Sequence, residues 1–225
     1  MSAGRVAVVS AGVVRPMSWR GRTVLSAIQK TPVRGPIDVG PLGLAHDEQG
    51  DRKHHGGPDK AVLLYPGEHY RAWAGVLGSA GPPAFGENLT TAGILEDDVV
   101  VGSTYLVGTV VLQVTQPRRP CYRLAAHHGI PDLAVQTQRT GRTGIYFRVV
   151  RPGTLAADDR IDLVHRPAHG ITVAEVHRVL NVDRTDRSAA AHLLDHPGVL
   201  PVSWAALLRK RLDGHLDDQS SRLHG

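Results

Sequence analysis

From the first residues to about Arg166 the chain never sustains a helical period. Its apolar residues come in short β-branched runs, each broken within a few positions by glycine, proline or aspartate. Such punctuation belongs to an all-β barrel or sandwich. The clearest predicted strands are Val6 to Val9, Ala61 to Tyr65, Val99 to Val101, Thr104 to Val107, Val110 to Thr115, Ile145 to Val150 and Ile161 to Val164. Gly102-Ser103 and Gly108-Thr109 stand where hairpin turns would connect the middle of this series, giving a meander that runs into TQPRRPC. Two local helices are expected to interrupt the strands, one over Glu68 to Leu77 after Pro66 and one or two between Cys121 and Gln138.

Beyond Pro167 the pattern changes. Thr172-Val173-Ala174-Glu175 reads as a capping box that opens a helix to about Asn181, with further helices over Arg184 to Asp195 and Ser203 to Leu212. The expected organisation is a β-barrel domain over 1–166 and a small three-helix domain over 167–225. A chain of 225 residues buries a core of its own without covalent staples. With one cysteine it forms no internal disulfide, which points to a reducing, cytoplasmic setting. No run approaches membrane-spanning length, so no membrane association is expected. The 26 basic against 21 acidic residues make a mild excess that leaves phosphate-bearing small molecules and nucleic acid both open.

The single cysteine stands in Thr115-Gln116-Pro117-Arg118-Arg119-Pro120-Cys121-Tyr122-Arg123-Leu124. Its two prolines fix φ and extend the residues before them, so the thiol leaves a strand end on a stiff arm. If Pro120 opens a helix, Cys121 sits in its first turn beside guanidinium groups that favour thiolate. The residue is then a nucleophile or a soft-metal ligand; the plainer reading is a small buried side chain. A second concentration is His54-His55-Gly56-Gly57-Pro58-Asp59-Lys60, a glycine-bent turn whose backbone N–H groups and lysine suit an oxyanion. It lacks the phosphate-loop pattern, and adjacent histidines make a poor zinc site with His69. The third, Phe85-Gly86-Glu87-Asn88-Leu89-Thr90, sets an acid and an amide beside a glycine, as a β-bulge also would.

Taken in order, these groups resemble the MOSC domain, the C-terminal domain of molybdenum-cofactor sulfurase, in its YiiM-like branch. The resemblance is carried by Gly43-Leu44 with Asp47-Glu48-Gln49, HHGGPDKAV, Tyr65-Pro66 with Glu68-His69-Tyr70, Pro83 to Leu89, and Gln116-Pro117-Arg118 with Pro120-Cys121. Ser203-Trp204, Lys210-Arg211-Leu212 and Ser221-Arg222-Leu223 continue it through the tail. His46 departs from it, standing where the family commonly has glycine.

The resemblance implies a MOSC-type β-barrel with peripheral helices and a following helical domain. It also implies a pterin-type molybdenum cofactor, with Cys121 as the molybdenum ligand, a soft thiolate on a soft metal. Arg118 and the turn at Gly56 and Gly57 would hold the cofactor phosphate, and Glu87 and Asn88 would line the cofactor. His55, Asp59 and Lys60 would form a proton-handling group for reduction of N-hydroxylated compounds, N-hydroxylated purine bases among them, to amines. The implied partners are the small-molecule substrate and an electron-donor protein; pyridoxal phosphate stays open as another phosphate-bearing ligand. A carrier of molybdenum cofactor or sulfur would need the same site. A nucleic-acid binder is disfavoured because Arg209-Lys210-Arg211 is balanced by Asp213, Asp217 and Asp218.

Overall fold

A computed structural model describes residues 2–50 and 56–225. Seven strands close into a barrel: β1 (Ser2–Ala11), β2 (Val62–Pro66), β3 (Leu89–Ala92), β4 (Thr104–Val107), β5 (Val110–Pro117), β6 (Ile145–Arg151) and β7 (Arg160–His165). Around the barrel the order is β7, β4, β5, β6, β2, β3, β1, with β1 returning to β7. Every pairing is antiparallel except β2 with β3, which run parallel from Leu64 opposite Leu89. Closure removes the exposed edges that an open sheet would present.

The β-branched runs become strands because alternate residues reach the barrel interior. In β5, Val110, Leu112 and Val114 are buried and Val111 and Gln113 are not fully so. Gly108-Thr109 makes the tight β4–β5 turn. The expected strand at Val99 to Val101 does not form. Val100 makes one isolated bridge to Thr172, and the chain turns at Gly102, whose N–H binds the Val114 carbonyl (2.9 Å). A hairpin outside the barrel, Arg15–Trp19 with Arg22–Ser26, turns through Arg20 and Gly21, both at positive φ (48° and 74°).

The helices are α1 (Tyr70–Leu77), α2 (Tyr122–His128), α3 (Leu133–Thr140), α4 (Val173–His177), α5 (Arg187–Leu194), α6 (Val202–Leu212) and α7 (Ser220–His224). Thr172 caps α4 as expected, its hydroxyl accepting from the Glu175 N–H at 3.1 Å, and a π-helical turn over Arg178–Val182 prolongs it. The terminal helices share one apolar cluster with the barrel, since Val176, Leu180, Leu193, Trp204 and Leu208 pack with Val6, Val107, Leu112 and Ile161. A second cluster of Tyr65, Trp73, Ala84, Phe85, Leu124 and Leu133 seats α1, α2 and α3 at one end of the barrel.

Candidate active site

There β5 finishes beside the start of β6, Pro117 opposite Ile145, and the segments that lead into β2 and β3 pass the same place. A pocket opens there, enclosing about 660 Å³ with its mouth. Its wall brings together Lys30, Asp47, Lys60, Asn88, Arg118 and Cys121, with Glu48, Phe85, Arg123 and Tyr146 completing the polar and aromatic lining.

β5 runs through Pro117, so the stiff arm is Arg118-Arg119-Pro120. Arg118 stays on the sheet through its N–H bond to the Gly144 carbonyl (2.9 Å). Cys121 is the N-cap of α2, in extended conformation (φ −136°, ψ 169°), one residue earlier than the first-turn position expected. Its thiol is buried at 4% exposure. The tail of the chain clamps this loop. Arg222 Nη1 donates to the Pro120 carbonyl, Arg222 Nη2 donates to Gln138 Oε1 (2.6 Å), and Trp19 Nε1 donates to the His224 carbonyl (3.0 Å).

Arg118 is 5% exposed, yet its Nη1 is buried with no hydrogen-bond partner among the described residues. A buried guanidinium N–H without an acceptor is costly in a folded chain, and a ligand anion at this wall would satisfy it. Tyr146 crosses the same wall. Burial pushes its phenol up to about 12 against the opposing pull of Arg118, so it stays a neutral donor at physiological pH.

Asp47 reaches the pocket from a turn closed by its own N–H to the Leu44 carbonyl (3.2 Å), with His46 at φ 62°. This is the left-handed position where glycine is usual and histidine is tolerated. The Asp47 carboxylate accepts from the Gly12 N–H (2.8 Å), from Asn88 Nδ2 (2.9 Å) and from the Lys30 ammonium. Lys30 and Asp47 side chains are each 7% exposed. Burial pushes the Lys30 ammonium down from the ordinary lysine value, with Asp47 opposing.

Asn88 locks the floor. Its Oδ1 accepts from the Leu63 N–H (3.0 Å), and its amide also reaches the Ser10 carbonyl (3.3 Å). The preceding Gly86 (φ 72°) admits no side chain, because a Cβ would lie 2.6 Å from Ile28 Cγ1. Glu87 points away from the pocket. Fully buried, it accepts from Tyr70 Oη (2.5 Å), Thr90 Oγ1 (2.9 Å) and the Phe85 N–H (3.0 Å). Burial raises its carboxyl above the usual carboxylate range despite these donors.

His54 and His55 lie outside the described residues. Of the remaining turn, Lys60 lines the pocket, whereas Gly56, Gly57 and Asp59 line a shallower groove with Gln116, Pro201 and Trp204, which Lys60 also borders. The Asp59 carboxylate pairs with Arg148 Nη2 at 2.8 Å, both side chains about half exposed. His69, considered with His54 and His55 for a zinc site, pairs with Glu96 (2.7 Å) on the wall of another cavity. Among the described residues no group of three histidine, cysteine or carboxylate side chains is arranged to hold a metal ion.

Sequence reasoning did not single out Lys30, Tyr146, Arg123 or Arg222 as pocket or loop-holding residues. Lys30 carries no motif in SAIQKTPV; its only signal is the tertiary meeting with Asp47.

A closed barrel with a thiol and a cluster of cations at the mouth of its strands defines the class. The chain belongs to the MOSC domain family, whose profile matches residues 51–162. It is 40% identical to Protein YiiM of Escherichia coli (strain K12), over 89% of this chain and 91% of that one. The crystal structure of YiiM from Geobacillus stearothermophilus superposes with a TM-score of 0.76 at 35% identity, covering 93% of this chain and 99% of that one. A Gibberella moniliformis (strain M3125 / FGSC 7600) protein named Reductase is 33% identical over 81% of this chain, which spans only 33% of the fungal protein. No described helix is long and apolar enough to cross a membrane.

Proposed function

We propose that the protein is a molybdenum-cofactor-dependent reductase that converts N-hydroxylated compounds, including N-hydroxylated purine bases, to amines. Membership of the MOSC family, the 40% identity to YiiM and the likeness to a fungal protein named Reductase support a reductive, cofactor-linked role. The single observation that carries the reading is that Cys121 and Arg118, whose buried Nη1 lacks an acceptor among the described residues, line one pocket.

The donor set fits the group. Cys121 offers a soft ligand for molybdenum, while Arg118, Arg123 and Lys60 offer cations for the cofactor's phosphate. Among the described residues the pocket wall sets four cations, Lys30, Lys60, Arg118 and Arg123, against two carboxylates, Asp47 and Glu48, which supports an anionic guest. When bound, the cofactor supplies the two electrons that cleave the N–O bond. The chain's own residues do the rest: Phe85 closes an apolar side, Tyr146 donates a hydrogen bond as a neutral phenol, and Asn88 fixes Asp47. A cytoplasmic electron-donor protein returns the electrons.

The test is metal and pterin analysis of protein made in cells that synthesise molybdenum cofactor, joined to an assay for loss of N–OH. Wild type carries both groups and turns over. Cys121→Ser loses most of the metal, because a hard hydroxyl replaces a soft thiolate. Equal molybdenum in both proteins removes Cys121 from the site. Loading of the wild type without turnover makes the protein a carrier.

A further inference from the structure

We propose that Lys30 is the acid that protonates the departing oxygen, with Asp47 holding its ammonium ready in the pocket wall. The inference rests on the reductase reading and names the proton source that reading lacks. Reduction of R–NH–OH consumes two electrons and two protons and yields R–NH2 and water. As the N–O bond breaks, the electrons come from the bound reduced cofactor and the oxygen leaves carrying negative charge. A proton from Lys30 lets it depart as water, and the nitrogen takes the second proton from solvent. Solvent then reprotonates Lys30.

Geometry selects Lys30. The guanidinium groups of Arg118 and Arg123 do not give up protons in proteins. Of the two ammonium groups among the described wall residues, Lys60 lies where the pocket meets the outer groove, whereas Lys30 is nine-tenths buried. Desolvation makes a buried ammonium a stronger acid than a solvated one, the direction in which Lys30 is displaced. Among the described residues the charged and titratable groups around it are Asp47 and Glu48 on one loop, Glu87 behind the pocket, Lys60, Tyr146, and Arg118, Cys121 and Arg123 on the cysteine loop. Of these Asp47 alone touches it among the described contacts. Asp47 is suited to outlast the transfer. When Lys30 is neutral, the Gly12 N–H and the Asn88 amide still donate one hydrogen bond to each of the carboxylate's oxygens.

The test compares Lys30→Arg, Lys30→Met and Asp47→Asn with wild type for molybdenum per chain, melting temperature, and turnover per metal across pH. Metal-free wild type is titrated alongside by NMR of the Lys30 side-chain nitrogen. Arginine keeps the charge and the contact to Asp47 but not the labile proton. Lys30→Arg should therefore keep its metal and its fold while turnover per metal drops at least about a hundredfold. Lys30→Met gives the same loss if arginine proves too bulky to fold. In wild type, activity falls as pH rises through the Lys30 value. Asp47→Asn removes the anion that raises that value, so this alkaline limb shifts to lower pH. The NMR titration should place Lys30 below ordinary lysine whether or not metal is present.

Turnover per metal within threefold of wild type in Lys30→Arg or Lys30→Met overturns the proposal. An unmoved alkaline limb in Asp47→Asn, or a Lys30 titration at the ordinary lysine value, does the same. Wild type without molybdenum or without N–OH reduction is a different failure: it takes down the reductase reading, and this role with it.

Discussion

Two buried carboxylates, Asp47 and Glu87, are handled in opposite ways. Glu87 is surrounded by neutral donors, two hydroxyls and a backbone N–H, and burial raises its carboxyl. Asp47 has two neutral donors and a cation, and it faces the pocket. Neutral donors alone satisfy geometry and leave a carboxylate poorly compensated for lost hydration, which suits a structural tie between α1 and the Phe85 loop. A full ionic partner inside a pocket is costly to bury and is weak evidence for stability alone. On the role proposed for Lys30, the contrast separates a carboxylate that serves the fold from one that serves a reaction.

The largest effect should follow loss of the ionic partner. Asp47→Ala leaves the Lys30 ammonium buried without its anion, and breaking a buried pair from one side costs about 3 kcal/mol or more. For a chain of this size that lowers the melting temperature by roughly 10 °C. The deficit narrows at alkaline pH, where Lys30 becomes neutral and needs no partner. Thermal unfolding between pH 6 and pH 10 checks it; a deficit independent of pH would mean the pair is not ionic.

Glu87→Gln should cost less, about 1–2 kcal/mol, because one amide hydrogen must face a donor that the carboxylate accepted from. Its pH dependence has a defined sign. A carboxyl whose value is raised on folding gives stability that is fully present below its unfolded value and is lost as pH rises through the folded one. Wild type therefore outperforms Glu87→Gln most at acid pH, and the gap shrinks toward neutrality. Molybdenum content should stay at the wild-type level, measured on the same preparations, since Glu87 does not line the pocket. A metal-poor Glu87→Gln that folds normally would erase the distinction between the two carboxylates.

The same division explains what could be read from residue order. β-Branched runs with alternating burial, such as VVLQV in β5, announce strands because period and composition agree. Val99-Val100-Val101 has the composition without the outcome, because Gly102 bends the chain into a bridge with Thr172. The RPMSW and RTVLS hairpin escaped because its arginine-glycine turn is a weaker signal than asparagine-glycine and its strands hold few alternating apolar residues. In the pocket, Cys121, Arg118, Asn88 and Lys60 sit in compact motifs and were legible. Lys30 and Tyr146 were not, since one belongs to an unremarkable loop and the other to an ordinary strand, and only closure of the barrel brings them to the thiol.

Arg118 sharpens the contrast from the cationic side. Its Nη1 has no acceptor among the described residues, so the folded chain carries the cost of burying it. Arg118→Met should leave the metal-free melting temperature unchanged or raise it, by up to about 1 kcal/mol of stability, while molybdenum content falls more than tenfold. Few substitutions of a buried arginine are expected to stabilise, which makes calorimetry of metal-free protein beside metal analysis a sharp check. A destabilised variant with full metal content would make Arg118 a packing residue.

The smallest effect belongs to Asp59, which the family resemblance joins to the proton-handling turn. Its carboxylate instead meets Arg148 at 2.8 Å on the outside of the barrel, with both side chains about half exposed. Exposed pairs contribute about 0–1 kcal/mol, and the contacts that fix the turn, Thr115 Oγ1 to the Asp59 carbonyl (2.6 Å) and the Lys60 N–H to the Gly57 carbonyl (3.0 Å), are to backbone atoms. Asp59→Asn keeps both. Melting temperature, molybdenum content and turnover per metal should therefore all remain within about twofold or a degree or two of wild type. Lys60→Ala, one residue on, removes a cation from the pocket wall and should lower cofactor retention with little change in stability. If Asp59→Asn proves the more damaging of the two, the outer groove beneath Trp204 is part of the reacting site, and the division between a chemical inner wall and a structural outer turn has to be redrawn one residue earlier.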